Sequence, residues 1–189
     1  MLQRLNRLII RISSSGWLFI ATTLVFAGSL SALIQIGNAF PAHTGGARPF
    51  DLQNGLTADQ VFTQLAGYSD RARQLYYLFT AIDYVFPLAA GLFLGGAGAF
   101  ALRHGLPGVY RAMSQRGLFP LFLIGSAFDW CENVAALTAV LGFPDAPAAV
   151  PMLLVAAKRA KLFFVMLTQA TVAVLLLIAL GGWLRRRFQ

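Results

Sequence analysis

Apolar residues run along this chain in four long blocks separated by polar or turn-rich segments. Residues 16–36, 76–102, 118–141 and 162–184 are the blocks. At about 1.5 Å of rise per residue, each as a helix crosses a hydrocarbon layer roughly 30 Å thick. The pattern predicts an all-α fold: an integral membrane four-helix bundle formed as one domain, 1–189. The first block follows a basic stretch, as a signal peptide would. Its apolar run from Gly16 to Ile36 is 21 residues, beyond the roughly 7–15 of a signal core, so it is read as a span.

Between the blocks the polar pattern is informative. In residues 1–15, Arg4, Arg7 and Arg11 fall on one helical face, and Leu5, Leu8 or Ile9, and Ile12 on the other. That suits a helix lying on the membrane surface, or equally a plain basic flank. The outer loop, 37–69, is irregular through Pro41, Gly45-Gly46 and Pro49. Thr57-Ala-Asp-Gln60 then forms a capping box, opening an amphipathic helix over 58–67 with Gly67 at its C-cap. Ser69 or Asp70 starts the helix of the second block. Gly91 and Gly95 within it offer a close-approach face of the small-xxx-small kind. A turn is expected at 103–117 and another at 142–147. The last helix is over-long, starting near Ala148.

Composition agrees with a bilayer as solvent: 58% of residues are hydrophobic, 12% are charged, and mean hydropathy is +0.67. Soluble domains carry about 25% charged residues. The net charge of +8 suggests nucleic acid only until the basic residues are located, at the ends of apolar blocks. Arg4, Arg7, Arg11, Arg103, Arg111, Arg116, Arg185, Arg186 and Arg187 all fall on one side of a four-span chain, with no acid among them. The positive-inside rule makes that side, and both termini, cytoplasmic. A multi-pass protein of the bacterial inner membrane is expected, with membrane lipids as its surroundings and no nucleic-acid partner. A single cysteine, Cys131, and two separated histidines, His43 and His104, point to no disulfide, metal or cofactor.

Charge within the blocks is the remaining signal. Asp83, Asp129 and Glu132 stand inside apolar spans, where an ionisable group costs roughly 2.5–3.5 kcal/mol and so seeks a partner in the bundle interior. Asp129, Glu132 and Asn133 share one helical face. On the last helix Lys158 and Lys161 share a face that continues to Gln169, and Arg159 lies to one side. At about 1.5 Å per residue, Asp83 lies roughly 27 Å above the inner end of its span, Glu132 roughly 21 Å and Asp129 roughly 16 Å. The candidate cluster is therefore three acids, Asp83, Asp129 and Glu132, against Lys158, Arg159 and Lys161, with Asn133 and Gln169 adding hydrogen bonds. Pro87, four residues after Asp83, frees a backbone carbonyl near that aspartate, which feeds a site or kinks the helix.

Phe50-Asp51-Leu52, Asp83-Tyr-Val-Phe-Pro87 and Asp129-Trp-Cys-Glu132-Asn133 resemble a group of small uncharacterised bacterial four-span membrane proteins. The similarity covers about residues 50–140. It implies that Asp83, Pro87, Asp129, Glu132 and Asn133 act as one unit, and it implies no activity.

Three functions compete. In the leading one the cluster organises helix packing, in an accessory subunit of a larger membrane complex. In the second it is the proton or ligand site of a small transporter, a homodimer or larger oligomer assembled through Gly91 and Gly95. In the third it belongs to an enzyme acting on a lipid or isoprenoid, with the carboxylates dividing acid and base roles.

Overall fold

The computed structural model describes residues 1–188. Among them the secondary structure is helical throughout, with no strand. The helices are α1 (Leu2–Ser14), α2 (Gly16–Ala39), α3 (Ala58–Leu65), α4 (Asp70–Asp83), α5 (Phe86–Gly105), α6 (Pro107–Arg116), α7 (Ile124–Gly142) and α8 (Ala149–Arg187). Three stretches are long and apolar enough to cross a membrane: Gly16–His43, Asp70–Gly105 and Ala149–Arg187. The third predicted block differs. Phe119–Leu123 is a 3₁₀ turn containing Pro120, and α7 carries Asp129, Glu132 and Asn133, which dilute its apolar character.

The chain divides into two compact units, and each division falls inside a helix. The first unit comprises Met1–Phe26, Leu88–Ser126 and the chain from Phe163 onward. Its core contains Ile9, Ala99, Leu102, Phe119 and Val172. Here α1 is packed by Ile9 and Ile12, while Leu8 is exposed. A methyl group added at Gly95 would meet Ile9, and one at Gly96 would meet Ile12. Gly91 is closed off in the same way by Leu123 and Ser126. The glycine face expected to receive a second copy is thus occupied within the chain. Asn6 ties α1 down further: its amide donates to the Ser114 carbonyl at 3.2 Å and its oxygen accepts from the Phe119 N–H at 3.2 Å.

The segment expected as a turn at 103–117 is mostly helix. Pro107 supplies the fixed φ of a helix start, and Gly117, at φ +70°, takes the left-handed conformation that ends α6.

The second unit comprises Ala27–Pro87 and Ala127–Leu162. Its core is built from Phe40, Phe50, Val61, Leu65, Tyr76, Ala136 and Leu154, all fully buried. The capping box at Thr57 and Gln60 forms, with Gln60 Oε1 accepting from the Thr57 N–H at 3.0 Å. The helix it opens buries Val61 and Leu65 and ends at Leu65, where Ala66, not Gly67, is the cap. Ser69 caps α4 by accepting from the Ala72 N–H. What looks in sequence like one helix from 76 to 102 is two, with α4 ending at Asp83 and α5 beginning at Phe86. Pro87 accounts for the break, because it has no N–H for the Asp83 carbonyl.

Candidate functional site: a buried carboxylate–lysine cluster

All the groups that meet in the cluster belong to the second unit. α7 presents Asp129, Glu132 and Asn133 from successive turns, and α8 presents Lys158 and Lys161 at the same i, i+3 spacing. Glu132 and Asn133 are completely buried; Lys158, Asp83 and Asp129 retain 2%, 4% and 5% of their surface. Groups this dry must be satisfied by each other.

Glu132 is the hub. Lys158 Nζ stands 2.7 Å from its Oε1, and Lys161 Nζ makes a close ion pair with its Oε2. Neither oxygen accepts a well-aligned hydrogen bond, so the attraction is chiefly ionic, and at this separation it holds whatever the angle. Lys161 also reaches Asp129 Oδ1 at 3.3 Å and Asp51 Oδ1 at 3.8 Å. Lys158 donates to the Asp51 backbone carbonyl at 3.0 Å. Tyr76 donates its hydroxyl to Asp51 Oδ2 at 3.3 Å.

The break before Pro87 contributes to the same place. The Asp83 carbonyl accepts from Asn133 Nδ2 at 3.2 Å, and the Tyr84 carbonyl accepts from the Trp130 indole N–H at 3.0 Å. The carbonyls at the end of α4 and at its C-cap, Tyr84, are therefore tied to α7 by its side chains.

The predicted site residues separate clearly. Asp83, Asp129, Glu132, Asn133, Lys158 and Lys161 converge. Arg159 and Gln169 do not: both are exposed. Arg159 is one residue, about 100°, from the Lys158 face, and Gln169 belongs to the first unit. Cys131 is likewise exposed on α7. The residue missing from the prediction is Asp51, carried on the 3₁₀ turn Phe50–Leu52. Phe50 is buried in the aromatic cluster with Tyr68 and Tyr76, and this anchors the turn so that Asp51 faces the lysines. Loop position concealed it; the Phe50-Asp51-Leu52 motif was the only signal.

The count of charges changes accordingly, from three against three to four carboxylates against two ammonium groups. Asp83 Oδ2 and Asn133 Oδ1 are buried without a hydrogen-bond partner. Asp51, Asp129 and Glu132 each offer an oxygen within 4.8 Å of the others, a spacing that could hold a metal ion. Lys161 makes ion pairs with all three, so its ammonium already acts as their shared cation, and a metal would have to displace it.

No protein-family model, curated protein or solved structure matches this chain. Function is therefore argued from this geometry.

Proposed function

We propose that this chain is a four-span protein of the bacterial inner membrane, with cytoplasmic termini, whose buried cluster organises helix packing. The observation that carries the reading is Glu132, fully buried and gripped by two lysines of α8. An ion pair this dry stabilises little in net terms but specifies one arrangement, because any other register leaves charges unpaired. The cluster links α4, the Asp51 turn, α7 and α8, so it defines the packing of the elements it joins. Such a protein serves as an accessory subunit of a larger membrane complex or as a homo-oligomer.

Membrane embedding is supported by the three apolar stretches, with α7 and its preceding turn as the fourth span. Orientation is supported by the distribution of charge. The first unit holds nine arginines and no acid, while all seven acids belong to the second.

The test compares Glu132→Gln with Asp145→Asn in detergent. Glu132→Gln strips both lysines of their main partner and is expected to cost about 3–5 kcal/mol. Asp145 is exposed, and its substitution is expected to change stability by less than about 0.5 kcal/mol. Equal thermal stability of the two variants would end the packing reading.

The unmatched charge favours one second reading, a carrier of protons or cations. Two carboxylates exceed the lysines, and Asp83 Oδ2 is buried without a partner. Asp83→Asn separates the readings. A carrier loses ion flux in proteoliposomes while staying folded, whereas a packing cluster has no flux to lose.

A further inference from the structure

The first unit has an apolar groove that the cluster does not explain. It has a volume of about 510 Å³ and is walled chiefly by Ile12, Phe19, Phe93, Ala97, Phe100 and Leu176, with the serine run 13–15 also in its lining. A second groove of about 420 Å³ adjoins it, sharing Phe100 and Leu176 and adding Trp183, His104 and Arg186. Both are predominantly apolar, and both are bordered by cation. Arg103 donates to Ser13 Oγ at 2.8 Å, which places a guanidinium beside the first groove. Arg186 forms part of the wall of the second. No acid of the first unit opposes them, since that unit has none.

Paired apolar grooves divided by two side chains suit a ligand with two hydrocarbon chains, and an uncompensated arginine border suits a phosphate. A helix of a partner protein would fill the grooves but would need its own acids to meet the arginines. A free anion would meet the arginines and leave the grooves empty. We propose that the double groove holds one anionic glycerophospholipid, one acyl chain on each side of Phe100 and Leu176. Its phosphate is drawn to Arg103 and Arg186. This inference rests on the membrane embedding proposed above and is independent of the role of the carboxylate cluster.

Native mass spectrometry of the full chain in non-ionic detergent tests it. The probes are phosphatidylglycerol and phosphatidylcholine of identical chains, with inorganic phosphate as competitor. One phosphatidylglycerol is expected to remain bound, at least about tenfold more strongly than phosphatidylcholine and undisturbed by phosphate. Arg186→Gln, at an exposed position, should lower that preference several-fold with Tm unchanged; Ala97→Trp, within the first groove, should remove the adduct. Arg71→Gln, in the other unit, should do neither. Equal retention of the two lipids overturns the proposal, as does displacement by phosphate or an unchanged preference in Arg186→Gln. If Ala97→Trp does not fold, Arg186→Gln decides. Release of the protein from membranes by an alkaline carbonate wash would instead overturn the embedding itself.

Discussion

At the scale of single residues, the cluster depends on side chains whose surroundings carry more weight than their identity. Tyr68, in the loop before α4, is a case that isolates one such effect. Its hydroxyl is buried without a partner. Burial, and secondly the negative charge of Asp51, raise its pKa above the ordinary 10.0. The neutral phenol therefore favours the folded state fully below the unfolded pKa, and this contribution is lost as pH rises above it. Tyr68→Phe removes an unpaired buried hydroxyl, so stability at neutral pH should hold or rise by up to about 1 kcal/mol. The fall of Tm between about pH 9 and 11 should become shallower. A steeper alkaline fall in the variant would show that the hydroxyl has a partner. Asp83, Asp129 and Glu132 were legible from the sequence because charge in an apolar block is anomalous, and Asn133, Lys158 and Lys161 because helical spacing puts them on shared faces of their helices. Asp51 was not, because an aspartate in a polar loop is ordinary until the fold brings it inward.

At the scale of elements, helix ends follow local rules closely. The capping box at Thr57 and the cap at Ser69 both lie where the side-chain chemistry indicates, and α8 starts at Ala149, one residue from the expected position. Pro87 divides its block because it deprives one carbonyl of its donor; only packing determined that Asn133 would take that carbonyl. Helix approach is likewise written in glycine, though the partner is not. A Cβ at Gly105 would lie 3.0 Å from the Ala179 backbone nitrogen and 3.1 Å from its Cα, atoms of α8 that cannot rotate aside. Gly28, inside α2, has nothing within 4 Å of the same position. Gly105→Ala is expected to destabilise by about 1–3 kcal/mol through overpacking. Gly28→Ala should stabilise by up to about 1 kcal/mol through helix entropy. Thermal unfolding in detergent measures both, and a stabilised Gly105→Ala would mean that α5 and α8 are not in contact there.

At the scale of the whole molecule, the unequal partition of charge makes a topological prediction. The arginine-only unit contains α6, and the unit with every acid contains α3. With Cys131 replaced by serine, a cysteine at Asp59 in α3 should react with a membrane-impermeant maleimide in intact cells. A cysteine at Gln115 in α6 should react only after lysis. Both positions are exposed, or partly so, on their helices. Labelling of Gln115→Cys in intact cells would reverse the proposed orientation.

Hydrophobic periodicity and charge sufficed to establish the helical class and the apolar stretches, because both are set by residues within one turn or one block of each other. They also marked the buried acids, because the cost of burying a charge is a property of the residue itself. Tertiary structure alone decided which partner each charge takes. Lys158 and Lys161 are drawn in and Arg159 is left outside by a rotation of about 100°. Asp51 is swung to the lysines by the burial of Phe50, and the glycines of α5 are covered by Ile9, Ile12 and Leu123 rather than by a second copy. Such choices depend on contacts between residues far apart in the chain, whose geometry no local pattern contains.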